Sequence, residues 1–189
     1  AAVERARLGG DCLWTGCVPS KAVLASAKVA HSMRTAHRVG ITAVEPHIDL
    51  AAVWRRARAV QAAIAASDDN PQRYREMGVD LFFGQARLVG ANEVDVDLPD
   101  GTSVVLETRF VLLCTGSRPH IPPIEGLSTE WCLTSENLFR LEAPPASLAI
   151  IGGGPMGVEM AQALQRLGVS VTVLQRSHTL LPQLEPSLV

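Results

Sequence analysis

The chain has 189 residues, 47% of them hydrophobic and 19% charged, with a formal net charge of -2. That balance suits an ordinary globular protein with room for one sizeable core or two modest ones, and gives no electrostatic footprint for nucleic acid or an anionic membrane. No run approaches the ~18 or more uninterrupted apolar residues of a membrane span.

Residues 1–4 read as the last part of a buried strand that ends on Glu4. The opening AAVERARLGG holds no signal-peptide apolar core, so a reducing, cytoplasmic setting is expected, in which stable structural disulfides are uncommon. The chain starts without Met and stops abruptly, which reads as a fragment. A glycine-rich loop with Cys12 and Cys17 follows, and residues 18–35 read as an alanine-rich helix with Pro19 in its first turn, where a missing N–H costs nothing.

Residues 49–66 predict a second helix, because Leu50, Val53, Ala57, Val60 and Ile64 recur at spacings of three and four. Arg55, Arg56 and Arg58 read as its solvated side. SDDNP interrupts the pattern at residues 67–71, and a shorter helix runs on to Met77. The period then changes to that of strands. Residues 79–83 form one candidate, and 93–98 with 104–107 form a hairpin around Pro99-Asp100-Gly101. Residues 110–114 (FVLLC) predict a continuous apolar strand ending at Thr115-Gly116, followed by a proline-rich crossover to Gly126. APPA, residues 143–146, reads as a linker between two domains, 1–143 and 144–189.

Beyond it come strand 148–151, the loop GGGPMG, helix 156–167 and strand 170–174. The spacing Gly152-x-Gly154-x-x-Gly157 inside this strand-loop-helix-strand unit fits a dinucleotide fingerprint. Glycine permits the tight turn and lets the backbone approach a pyrophosphate at a helix N-terminus, whose free N–H groups favour anions. The alternative is a glycine-rich loop with no ligand. An acid ending the second strand would suit the ribose hydroxyl of NAD, but Gln175 and Arg176 stand there. A neutral residue followed by arginine leans toward the 2′-phosphate of NADP(H), with NAD(H) kept open; Arg176 as a solvated loop residue is the alternative.

Cys12 and Cys17 leave three fates open: a staple, metal ligands or a redox pair. Their spacing is at the long limit of zinc pairs and no second pair matches it, so no metal site is expected; Cys114 and Cys132 read as small buried hydrophobes. The redox reading has support from Gly16, which helps the loop bend. Cys17 stands at a helix start that favours thiolate, and Lys21 lies on the same helical face. Two free thiols near a helix start remain the bland alternative.

GGDCLWTGCVPSK, residues 9–21, closely resembles the redox motif of the flavin-dependent pyridine nucleotide-disulfide oxidoreductases, which include dihydrolipoamide dehydrogenase, glutathione reductase and mercuric reductase. The opening GGDC and the ending VPSK look most like the mercuric reductase-like branch. The acid-ended strand before the motif, CTGSRP and GGGPMGVE extend the resemblance along the chain. It implies an α/β fold: a partial FAD-binding Rossmann-like domain with a β-meander, then the first βαβ unit of an NAD(P)-binding Rossmann-like domain.

By that resemblance Cys17 is the flavin-side thiolate and Cys12 the interchange thiol that meets substrate. Lys21 sits near the flavin and pairs with Glu159, which by position alone is only a favourable charge in the first turn of a helix. Glu4 holds the FAD ribose. Gly9 and Gly10 frame the motif, Thr115 and Gly116 pass close to FAD, and Gly84 and Ala86 belong to the adenine-side strand. Gly152, Gly154 and Gly157 cradle NADP(H). Trp14 and Thr15 depart from the usual Asn and Val, which bears on substrate approach to Cys12. His31, His37, His47, His120 and His178 sit in no catalytic motif and read as structural or surface residues. The resemblance implies a fragment lacking the first FAD loop and the domain that makes the parent a homodimer, and so inactive by itself. The parent's substrate is a small disulfide, as in dihydrolipoamide dehydrogenase, or a metal ion. The alternative of another class is a non-catalytic nucleotide-binding or redox-sensing fragment.

Overall fold

The computed structural model describes residues 1–182 and 184. Strand β1 (Ala2–Glu4) pairs in parallel with β2 (Leu81–Phe83), and the Gly84 amide donates to the Glu4 carbonyl at 2.9 Å where the pair ends. Between these strands lie four helices, α1 (Gly10–Trp14), α2 (Cys17–Thr35), α3 (Leu50–Ser67) and α4 (Pro71–Glu76). An antiparallel meander follows, β3 (Gln85–Leu88), β4 (Glu93–Asp97) and β5 (Ser103–Glu107). The unit β6 (Ser147–Ile151), α5 (Pro155–Arg166) and β7 (Ser170–Leu174) closes the described chain, with β6 and β7 parallel and Ile151 opposite Leu174. The architecture is mixed α/β.

The helix ends follow from local chemistry. Asp49 accepts from the Ala52 amide at 2.9 Å and caps α3, while Asn70 accepts from Gln72 at 2.7 Å and caps α4 ahead of Pro71. The β4–β5 turn closes through Leu98 donating to the Thr102 carbonyl at 2.8 Å, with Gly101 at φ 85. Gly101 takes that left-handed conformation without strain.

One cluster of buried side chains joins the helices. Val23 and Ala27 of α2, Trp54 and Ala57 of α3, and Met160, Ala163 and Leu164 of α5 pack together with Phe139, Leu167 and Val169. Trp54 is wholly buried, and its Nε1–H donates to the Leu138 carbonyl at 2.9 Å. Helix α2 is thus covered by α3 and by α5, and the core runs across the linker at 143–146. Arg34 spans the same junction, pairing with Glu45 and donating to the Arg166 carbonyl at 2.5 Å.

Several expectations are corrected. Residues 110–114 form no strand; Phe110, Leu112 and Leu113 are exposed, because among the described residues no strand edge lies beside them to accept their hydrogen bonds. Cys114, in that stretch, is therefore exposed, and Cys132 is half-buried rather than a core residue. β1 is half-buried, since its one partner covers a single edge. Arg56 and Arg58 are tethers as well as solvated groups, donating to the Ala22 carbonyl at 3.0 Å and the Leu141 carbonyl at 2.6 Å. Glu159 is the fifth residue of α5, one position past the first turn in which it was expected, because the helix begins at Pro155 rather than Met156. Among the described residues no helix is long and apolar enough to cross a membrane.

Candidate redox and nucleotide site

The two cysteines stand on consecutive helical pieces. Gly9, at φ 98, turns the chain into α1, and a Cβ there would press to 2.7 Å of the Leu13 Cβ. Gly16 then joins α1 to α2; a Cβ on it would lie 2.9 Å from the Asp11 carbonyl oxygen, so only glycine lets the helices meet this closely. Cys12 lies within α1, where a loop was expected, and Cys17 is the first residue of α2. Both thiols are free and exposed. A hydrogen bond with the Cys17 side chain, then partial burial, then the charges of Cys17 and Asp69, push the Cys12 thiol above its ordinary value. Gly10, at φ 53, is exposed beside them.

One turn along α2, Lys21 reaches α5. Its Nζ lies 2.8 and 3.0 Å from the two carboxylate oxygens of Glu159. The structure thus brings together the cysteine motif and the helix that begins at the glycine loop.

That loop is tight. Gly152 has φ 110 and donates to the Leu174 carbonyl at 2.8 Å, and a Cβ on Gly157 would collide with the Gly152 carbonyl oxygen. Gly154 immediately precedes α5. This is a cradle that side chains would fill, so the residues fit a dinucleotide pyrophosphate. Gln175, directly after β7, turns back and accepts from the Gly153 amide at 2.9 Å, while Leu181 donates to the Gly153 carbonyl at 2.8 Å. Arg176 is exposed beside it.

The remaining residues fall in two places. Glu4 accepts from the amides of Ala6 at 2.7 Å and Arg7 at 3.2 Å, which fixes its carboxylate at the end of β1 beside Gly84. Ala86 lies on the exposed β3, apart from the cysteines. Thr115 and Gly116 meet the redox motif through Asp11, whose carboxylate accepts from the Ser117 amide at 3.0 Å and stands 2.8 Å from where a Gly116 Cβ would be.

Asp11 was missed from the sequence, and so were Trp14 and Gln61 as structural partners. Trp14 donates to the Leu8 carbonyl at 2.7 Å and is covered by the Arg7 guanidinium at 3.6 Å from the ring centre. The acid inside GGDC is the only signal that could have marked Asp11. Among the described residues no group of three His, Cys, Asp or Glu stands close enough to hold a metal ion.

Comparison with known proteins bears on this arrangement. The family described as Pyridine nucleotide-disulphide oxidoreductase matches residues 1–188. The chain belongs to that family. It is 37% identical over 177 residues, 93% of the chain, to a mercuric reductase of Streptomyces lividans. To a dihydrolipoyl dehydrogenase of Bacillus subtilis it is 34% identical over 96% of the chain. The chain spans 37% and 40% of the lengths of these two relatives. Among solved structures, LpdA from Mycobacterium tuberculosis matches with a TM-score of 0.78 at 30% identity, over 95% of this chain and 39% of that one. The flavoprotein disulfide reductase RclA of Escherichia coli shares the fold, with a TM-score of 0.75 at 24% identity over 98% of this chain and 38% of that one.

Proposed function

We propose that this chain is part of a flavoprotein reductase in which NADPH, FAD and the Cys12–Cys17 couple pass an electron pair to a small disulfide or a mercuric-type metal ion. The observation that carries the reading is the Lys21–Glu159 pair at 2.8 Å, which links the cysteine helix to the helix of the glycine loop. Residues 1–143 contribute to the flavin side and 144–189 to the nucleotide side, and the parent acts as a homodimer. FAD, when bound, relays the electron pair between nicotinamide and disulfide.

This chain's residues divide the remaining work. Glu4, Gly9, Gly10, Gly84, Ala86, Thr115 and Gly116 lie along the flavin side, and Gly152, Gly154 and Gly157 hold the pyrophosphate of the nucleotide. Lys21, oriented by Glu159, keeps a positive charge one turn from Cys17. Toward a disulfide substrate the reduced couple reacts in two exchanges. The Cys12 sulfur attacks one substrate sulfur and releases the other as a thiol. The Cys17 sulfur then attacks Cys12, forming the Cys12–Cys17 bond and releasing the second thiol. Two electrons and two protons leave the couple for the substrate.

The NADP(H) preference has a structural handle. Gln175 is oriented by the Gly153 amide, and a glutamate there would keep that bond while placing a negative charge beside the ribose. In the flavin-loaded parent, Gln175→Glu should shift preference toward NADH, and an unchanged preference would overturn the NADP(H) assignment. The wider reading is tested by oxidising the chain with glutathione disulfide and mapping crosslinks by mass spectrometry. A Cys12–Cys17 disulfide is expected, with Cys114 and Cys132 left out of it. A parent that contains this disulfide but oxidises NADPH as fast after Cys12→Ser as before would sink the proposal.

The mercuric-type substrate is favoured over dihydrolipoamide by the GGDC and VPSK ends of the motif. Mercuric ion and a lipoamide disulfide, offered separately to the parent, distinguish the two.

A further inference from the structure

Gln61 is a buried polar residue with no part in the chemistry described so far. It lies on α3 at 6% exposure, in line with Trp54 and Ala57, which are wholly buried. Its Nε2 donates to two carbonyls at once, those of Leu13 and Trp14, both at 2.9 Å. These are the last two residues of α1, whose carbonyls have no partner within so short a helix. Five residues do not hold a helix by themselves in water. The turn that carries Cys12 is therefore fixed from outside, by a side chain rooted in α3 on the face that also buries Trp54 and Ala57.

We propose that Gln61 is a positioning residue for the Cys12–Cys17 couple, holding the Cys12 turn at bonding distance from Cys17 before the disulfide forms. The inference rests on the redox reading given above. In the disulfide form the covalent bond itself fixes Cys12 against α2. In the dithiol form that constraint is gone, and the Gln61 bonds keep the turn in place. Removing them leaves the dithiol looser, so closing the disulfide costs more entropy and the oxidised form becomes less favoured.

The test uses the full chain and two variants. Gln61→Met keeps the length of the side chain and removes both N–H donors; Gln61→Glu keeps its shape and faces oxygen toward both carbonyls. Each is equilibrated in glutathione buffers of graded poise, quenched in acid and scored for the Cys12–Cys17 disulfide by mass spectrometry. The oxidation constant should fall about tenfold in both variants, equal to about 30 mV for a two-electron couple. By the same cycle the melting temperature should fall more in the disulfide than in the dithiol form, because the freed dithiol regains chain entropy and the crosslinked turn does not, a difference that a merely structural role would not produce.

Folded variants with an unchanged oxidation constant overturn the role of Gln61 and leave the redox reading standing. A wild-type chain that forms no Cys12–Cys17 disulfide at any poise sinks the redox reading itself. Should neither variant fold, exchange of the Gln61 side-chain amide protons in the wild-type dithiol decides the matter. Slow exchange is expected, and exchange as fast as that of a surface glutamine overturns the proposal.

Discussion

Cys12 and Cys17 differ through their surroundings more than through their chemistry. The Cys17 side chain is the largest influence raising the Cys12 thiol, ahead of burial, and Asp69 adds a smaller push. Cys12 must lose its proton before attacking a substrate sulfur, so its exchange with an external disulfide should accelerate as pH rises through its raised value. Iodoacetamide trapping of Cys12 against pH checks this. Cys17→Ser should move the trapping profile to lower pH, and Asp69→Asn should move it the same way by less; the reverse order would contradict the assignment of causes. The sign for stability follows: a thiol raised by folding favours the folded state below its unfolded value and loses that contribution as pH climbs through the raised one. Lys21 and Glu159 form an exposed pair, with side chains 59% and 42% accessible, of the kind worth about 0–1 kcal/mol. Their importance lies in where they hold each other. At this scale the cysteines, Lys21 and Glu159 were legible because they stand in contiguous motifs. Asp11 and Gln61 were not, since the partners that give them meaning lie 106 and 48 positions away.

Among the elements, the glycine loop shows how much one missing Cβ supports. In Gly157→Ala the new methyl would meet the Gly152 carbonyl oxygen, a backbone atom that cannot rotate aside. The variant should lose about 1–3 kcal/mol in urea denaturation and its affinity for NADPH, since the loop must open to admit the methyl. A stability equal to wild type would show that β6 and α5 meet less closely than described. The helices were legible almost to the residue, because alanine-rich amphipathic runs with Asp49 and Asn70 at their starts carry their own boundaries. Residues 110–114 were misread for the opposite reason. A run such as FVLLC states only that burial is favourable, and a strand requires a neighbour whose existence no local pattern can report. The same limit hid α1, a helix of five residues held by contacts rather than by propensity.

For the molecule as a whole, the expected boundary at the APPA linker is bridged by packing. Leu164 of α5 is 1% exposed and shares its cluster with Val23 and Trp54. Leu164→Ala should therefore cost about 2–5 kcal/mol. It should lower the unfolding of α2 and α3 together with that of the β6–α5–β7 unit, as one denaturant transition. Two separate transitions, with only one moved, would show the halves to be independent.

The unpaired stretch between the halves has a practical consequence. Arg109 and Arg118 bracket an extended run in which every residue from 109 to 120 is exposed. A trypsin-like protease needs such an extended, accessible backbone, so the first nick should fall after Arg109, whereas the bond after Arg118 leads into Pro119 and resists cleavage. The pieces should not come apart. Trp54 still donates to Leu138, Lys21 still holds Glu159, and Arg34 still reaches Arg166, all from one side of the cut to the other. A nicked sample should run as two bands in denaturing gels and elute as a single body by size-exclusion chromatography.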